Sequence, residues 1–276
     1  GELADTGVFS LVLPEPDGVG LGWADAVLVF EELGRAAVPG PLVATFLAAG
    51  LVDGAATGET VVGLVEPGDG PVLIEYFASC DTLCVIDDSG IRAVDPATVS
   101  CDSAGEPLDP LTPVHRAASL PEGERIGDAE TAASWRTRGA VLSAALQLGL
   151  AEAALDSAVG YAKEREQFGK PIGSFQAVKH LCADMLTLVE VARAAVYAAG
   201  VVSDDPDIDD PAKLASVAKI TADHAAVQCG KHCIQVHGGM GYTWEVDAHL
   251  YLKRAWVLEQ AFGDTDHHAL LMADRL

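Results

Sequence analysis

Ala26, Val27, Phe30 and Leu33 recur at helical spacing and predict a helix from Trp23 to Arg35 that stops at Gly34 and Pro39. A second apolar helix is predicted from Leu42 to Leu51. From Thr60 to about Ile126 the period changes. Val61–Val65, Val72–Ile74 and Thr82–Ile86 are short runs rich in Val, Ile and Leu, broken by Gly, Pro and Asp, and they predict strands. Beyond Thr131 the pattern is helical throughout. Val141, Ala144, Ala145, Leu148, Leu155 and Val159 mark one face of a very long helix; Val178, Leu181, Met185, Leu188, Ala192 and Val196 mark a second. The acidic loop Asp204–Asp210 leads into Pro211, an Asp cap with Pro in the first turn, so a third helix starts there and runs to Ile234. A glycine-rich loop follows, then a fourth helix from about Val246 to Phe262. Four long helices with short connections predict a four-helix bundle. The expected fold is mainly α with a small β-domain: an N-terminal helical segment over residues 1–58, a shortened β-domain over 59–130 and the bundle over 131–276.

Composition narrows the function classes. Half of the 276 residues are hydrophobic, enough for a substantial core. Lys and Arg number 17 against 41 Asp and Glu, and a net charge of -24 opposes extended contact with a phosphodiester backbone, so no nucleic-acid partner is expected. No charge-free apolar run approaches a membrane span, and neither a membrane partner nor a signal peptide is expected. Six cysteines without a disulfide-module spacing fit reduced thiols and a cytoplasmic location. Cys229, Cys233 and His237 recur every four residues, but a structural zinc wants four ligands and a tighter knuckle, so a packing stripe is the expected use and no metal is assigned.

Two segments carry chemistry. The first, Tyr161 to Gln176, reads Y-A-K-E-R-E-Q-F-G-K-P-I-G-S-F-Q; the second, about sixty residues later, runs from Gln235 to Glu245 as Q-V-H-G-G-M-G-Y-T-W-E. Arg165 can grip a pyrophosphate through a permanently charged fork. Gln176 and Gln235 each offer an amide donor and acceptor to ribose or adenine. Gly238 and Gly239 let backbone N–H groups approach phosphate oxygens with no Cβ in the way. Phe168, taken alone, reads as a core residue.

In order and spacing these segments resemble the flavin-binding half of the acyl-CoA dehydrogenases, as R-x-x-F-G-x-x-I-x-x-F-Q and Q-x-x-G-G-x-G-Y. The resemblance implies that Arg165, Gln167, Phe168, Ile172, Phe175, Gln176, Gln235, Gly238 and Gly239 bind the ADP part of an FAD whose ring lies in a neighbouring subunit. The N-terminal strings Leu11–Glu15, Gly18–Gly22 and Glu31–Arg35 are similar to that family's first helical domain, whose usual leading helix is missing here. Residue 1 is Gly rather than Met, which suggests trimming or processing. Glu66-Pro67-Gly68-Asp69-Gly70 stands where a longer T-E-P-x-x-G-S-D element would contact the flavin ring.

The family removes the proton α to a CoA thioester with a carboxylate while hydride leaves the β-carbon. Aligning Lys253-Arg254-Ala255 with the family's R-D-A puts Phe262 at one base position. Counting back from Tyr161 puts Gly139-Ala140 at the other. Neither can accept a proton, so no catalytic residue is assigned. Glu259 and Asp264 are the nearest acids and are expected to be ordinary surface carboxylates; His267 and His268 are expected to face solvent. The resemblance therefore implies the short, non-catalytic subunit of a heteromeric acyl-CoA dehydrogenase, completing the FAD site of a longer catalytic partner in a heterotetramer of two short and two long subunits. Such split enzymes are similar to those of actinobacterial steroid catabolism. Acyl-CoA would be the substrate and an electron-transferring flavoprotein the acceptor. Two alternatives stay open: a homomeric dehydrogenase with a displaced base, and a flavin-free scaffold.

Overall fold

A computed structural model describes residues 3–68 and 70–275; Gly1 and Asp69, both named above, lie outside them. The chain divides into two compact units, Gly1–Ala26 with Pro39–Gly139, and Val27–Val38 with Ala140–Leu276.

The helices α1 (Trp23–Arg35) and α2 (Leu42–Ala48) begin the regular structure. α2 stops before the expected Leu51 because the chain tightens into turns, Leu51 and Val52 both donating to the carbonyl of Ala48. In the first unit every residue of α2 is buried. The strands that follow are β1 (Val62–Val65), β2 (Val72–Glu75), β3 (Thr82–Asp87), β4 (Gly90–Val94), β5 (Cys101–Ser103), β6 (Val114–Ala117) and β7 (Glu124–Gly127). One sheet has the order β1-β3-β4-β7, with β1 and β3 parallel; the other has the order β2-β6-β5 and is antiparallel. Along β2, Val72 and Ile74 are buried while Leu73 and Glu75 are exposed, the period-two alternation of a strand with one covered face. Val65, Ile74, Leu83, Val85 and Val94 form the core of this unit. Thr45 of α2 accepts from the Val62 amide and donates to its carbonyl, which closes the edge of β1.

The second unit contains most of α3 (Ala129–Glu164), then α4 (Gln176–Asp204), α5 (Pro211–His237), α6 (Ala248–Gln260) and α7 (Thr265–Ala273). Between α3 and α4 the chain is not α-helical. It makes a two-stranded hairpin of β8 (Glu166–Gln167) and β9 (Lys170–Pro171), a correction to the continuous helical reading. α7 is a further short helix beyond the expected four. The Asp210 carboxylate accepts from the amides of Ala212 and Lys213, so the N-terminus of α5 falls where the Asp-Pro signal puts it. The end of α1 packs on α3 at two glycines. A Cβ at Gly34 would collide with the Leu146 carbonyl, and one at Gly149 with that of Glu31, so the close approach needs both.

Beside that crossing Glu31, only 4% exposed, pairs with Arg193 and accepts from the Tyr197 hydroxyl at 2.7 Å. Arg193 reaches Glu152 at 3.1 Å, and Arg35 reaches Asp156 at 2.7 Å. Burial works against the Arg193 charge, but Tyr197 and the Glu31 and Glu152 carboxylates raise its pKa above the ordinary value. α3 and α4 are each long and apolar enough by composition to cross a membrane. The apolar window of α3 is 89% buried, as befits the central helix of a bundle, whereas that of α4 is 39% buried and leaves Leu186, Val191 and Val201 exposed.

Candidate functional site

The end of α3 places the first motif. The Arg165 amide still donates to Tyr161, and the Arg165 carbonyl accepts from the Ile172 amide at 2.8 Å, which shuts the hairpin. Its two turn residues, Phe168 at φ 54° and Gly169 at φ 75°, both lie in the left-handed region, the signature of a tight two-residue hairpin turn. Glycine adopts that conformation freely. A phenylalanine does not, and Phe168 is also 91% exposed, so neither backbone preference nor core packing accounts for it. The core reading of Phe168 is thereby overturned. Its ring meets that of Phe175 edge-on at 6.0 Å, and the Lys170 ammonium lies 4.4 Å over the Phe175 ring. Gln167 donates to the Glu166 carbonyl, Ile172 sits in the short turn Ile172–Ser174, and Gln176 opens α4 in an exposed position.

The second motif closes α5. Gln235 is exposed in its last turn, and Gly238 adopts φ 61°, ψ -139°, a conformation open to glycine alone. Nothing lies within 4 Å of where a Cβ would stand at Gly238 or Gly239, so the backbone there faces open space. The fold brings the two motifs together. Tyr161 stacks on His237 with centroids 4.2 Å apart and rings 24° from parallel, and its hydroxyl points at the Met240 sulfur at 3.9 Å. Tyr242 and Trp244 beyond the glycines are 77% and 75% exposed, with Lys253 5.2 Å over the Trp244 ring. Among the described residues Arg165 enters no ion pair, and the side-chain amides of Gln176 and Gln235 make no hydrogen bond. A cation, two amides, an exposed aromatic and an open glycine backbone can hold a dinucleotide.

A buried polar cluster lies at the end of α6. The Lys219 ammonium is inaccessible to solvent and bonds Asp223 at 2.7 Å and the carbonyls of Leu258 and Glu259 at 3.1 and 2.9 Å. Gln147 donates to Asp223 and to the Ala255 carbonyl. Burial lowers the pKa of Lys219 and raises that of Asp223. The turn that follows carries Phe262 at φ 58°. Asp264, a candidate acid, caps α7 by accepting from the His267 amide. His268 corrects the expectation of a solvent-facing pair: it is 4% exposed, with one ring nitrogen 3.1 Å from the Ser216 hydroxyl and the other 3.0 Å from the Phe262 carbonyl. Burial, reinforced by the Lys219 charge, lowers its pKa to about 4. In the first unit, Glu66 of the shortened element is held by Arg136 at 2.6 Å. Cys229 and Cys233 are fully buried, burial pushing their thiols up to about 12 and about 11.

Sequence reasoning missed the pairing of Tyr161 with His237 and the Lys219–Asp223–Gln147 cluster. A Lys and an Asp four residues apart on an otherwise alanine-rich helix were the available signal.

The profile of the acyl-CoA dehydrogenase C-terminal domain matches residues 133–276. The acyl-CoA dehydrogenase IpdE2 of Mycobacterium tuberculosis is 38% identical over 259 residues, which span 90% of this chain and 77% of that protein. The acyl-CoA dehydrogenase FadE34 of the same organism is 38% identical over 284 residues, covering 92% of this chain but only 38% of its own length. Among solved structures, a variant of the Tcur3481-Tcur3483 steroid ACAD superposes with a TM-score of 0.81 at 25% identity, over 99% of this chain and 86% of that one. The ChsE4-ChsE5 complex from Mycobacterium tuberculosis gives 0.83 at 22% identity, over 99% and 86%. The chain belongs to the acyl-CoA dehydrogenase family.

Proposed function

We propose that this chain is the short, non-catalytic subunit of a heteromeric acyl-CoA dehydrogenase and that it completes the FAD site of a longer partner. The observation that carries the reading is the exposed clamp: Arg165 and Phe168 on a strained hairpin, coupled through Tyr161 and His237 to the open glycine turn. FAD is the family's cofactor, and the residues present fit its nucleotide part. Arg165 neutralises the pyrophosphate, Gly238 and Gly239 admit it to the backbone, Gln176 and Gln235 bond ribose and adenine, and Gln167, Phe168, Ile172 and Phe175 form the wall beside it. When bound, the flavin supplies the hydride acceptor for forming an α,β double bond in a CoA thioester.

This chain's own residues bind and orient; none removes the proton. Phe262 and Gly139 stand at the two base positions implied by the family alignment, and the Asp264 carboxylate is engaged as a helix cap. The base and the acyl pocket then belong to the partner, in a tetramer of two short and two long chains. The steroid ACAD among the structural relatives favours a steroid-derived CoA thioester as substrate; an electron-transferring flavoprotein is the acceptor that the family resemblance implies.

Arg165→Ala in the assembled heteromer should release FAD on dialysis, and Arg165→Lys should rescue only in part, since the guanidinium fork is lost. Removing one charge-assisted contact is worth about 1.5–3 kcal/mol, roughly a ten- to hundredfold loss of affinity. Unchanged flavin content in the Ala variant would refute the assignment.

A further inference from the structure

We infer that Tyr161 and His237 are positioning residues that lock the two halves of the nucleotide clamp into one register, an inference that rests on the reading of the site given above. Neither side chain belongs to the set that would touch the ligand. Each sits one step behind it: Tyr161 one helical turn before Arg165, and His237 immediately before Gly238. His237 is buried, and its Nδ1 lies 2.8 Å from the Cys233 carbonyl. A carbonyl only accepts, so Nδ1 carries the hydrogen and the ring is pinned to the last turn of α5 in one tautomer and one orientation. Against that fixed plane Tyr161 stacks at 4.2 Å, while its hydroxyl reaches the Met240 sulfur within the glycine turn itself.

The stack is a side-chain bridge between the end of α3, which leads into the hairpin, and the end of α5, which leads into the glycine turn. The hairpin strands are two residues each, and a Cβ added at Gly238 or Gly239 would meet nothing within 4 Å. A pyrophosphate held by Arg165 from one side and by backbone N–H groups from the other tolerates little error in that spacing, because hydrogen bonds weaken steeply outside their narrow range of length and angle. The bridge supplies the preorganisation that the ligand would otherwise have to impose on binding.

Two mild substitutions separate the ring from its tether. His237→Phe keeps an aromatic plane under Tyr161 and loses the bond to Cys233; His237→Gln keeps a donor near that carbonyl and loses the plane. In the assembled heteromer, equilibrium flavin titration should show the Phe variant within about twofold of the parent and the Gln variant roughly two- to tenfold weaker, the range expected for one aromatic pair. Thermal melting of the flavin-free assembly should differ little between the two. A purely structural role would instead shift the melts and leave flavin affinity alone. Unchanged flavin binding in both variants, or a Phe variant weaker than the Gln variant, overturns the inference provided Arg165→Ala still releases FAD. Indifference of flavin binding to Arg165→Ala overturns the site reading beneath it.

Discussion

His268 shows how a single side chain can carry a stability signature. Its ring is buried between Ser216 and the Phe262 carbonyl, and its pKa falls from the ordinary 6.5 to about 4 because burial, Lys219 and His267 oppose the charge. The unfolded chain takes up this proton first as pH falls through 6.5, so the folded state loses stability progressively down to about pH 4. Over that window the loss from this group amounts to no more than about 3 kcal/mol. Urea unfolding of the parent and of His268→Gln at pH 7 and pH 4 checks this. The parent should lose ground to the variant on acidification, and Asp223, which titrates in both, drops out of the comparison. A constant gap between them would contradict the account. The inward orientation of His268 was not legible in the sequence: helical geometry separates it from His267, but its partner Ser216 lies 52 residues earlier in the chain.

Elements with their own punctuation were legible. α1 runs between the bounds that its apolar spacing predicts, and α5 begins at its Asp-Pro signal because that cap is a local hydrogen bond. The hairpin of β8 and β9 was not, since strands of two residues have no period and a left-handed Phe168 contradicts residue preference. Of the candidate site, the residue types and their order were visible in the sequence, but the contact that joins the two motifs depends on how the ends of α3 and α5 pack. The crossing of α1 on α3 yields a test at this scale. Gly149→Ala sits in a helix, where alanine is the better former, yet its methyl would drive into the Glu31 backbone. Overpacking should win, and denaturant unfolding should show a loss of about 1–3 kcal/mol; a gain in stability would mean the two helices separate freely.

At the scale of the whole molecule, charge and exposed apolar surface pull in opposite directions. A chain of net charge -24 gains solubility from its acids, yet it leaves Phe168, Tyr242, Trp244 and the Leu186, Val191 and Val201 positions of α4 uncovered. Such surface is what a partner subunit would cover, and on the proposed reading that partner would also supply the contacts to the flavin ring. The most direct measurement is the flavin content of this chain purified alone and after co-expression with a longer acyl-CoA dehydrogenase chain, read from the flavin absorbance of the purified species. The account predicts a colourless, self-associating chain alone and one FAD for each short–long pair in the co-purified complex. A stable yellow homomer of this chain that oxidises a CoA thioester unaided would contradict it.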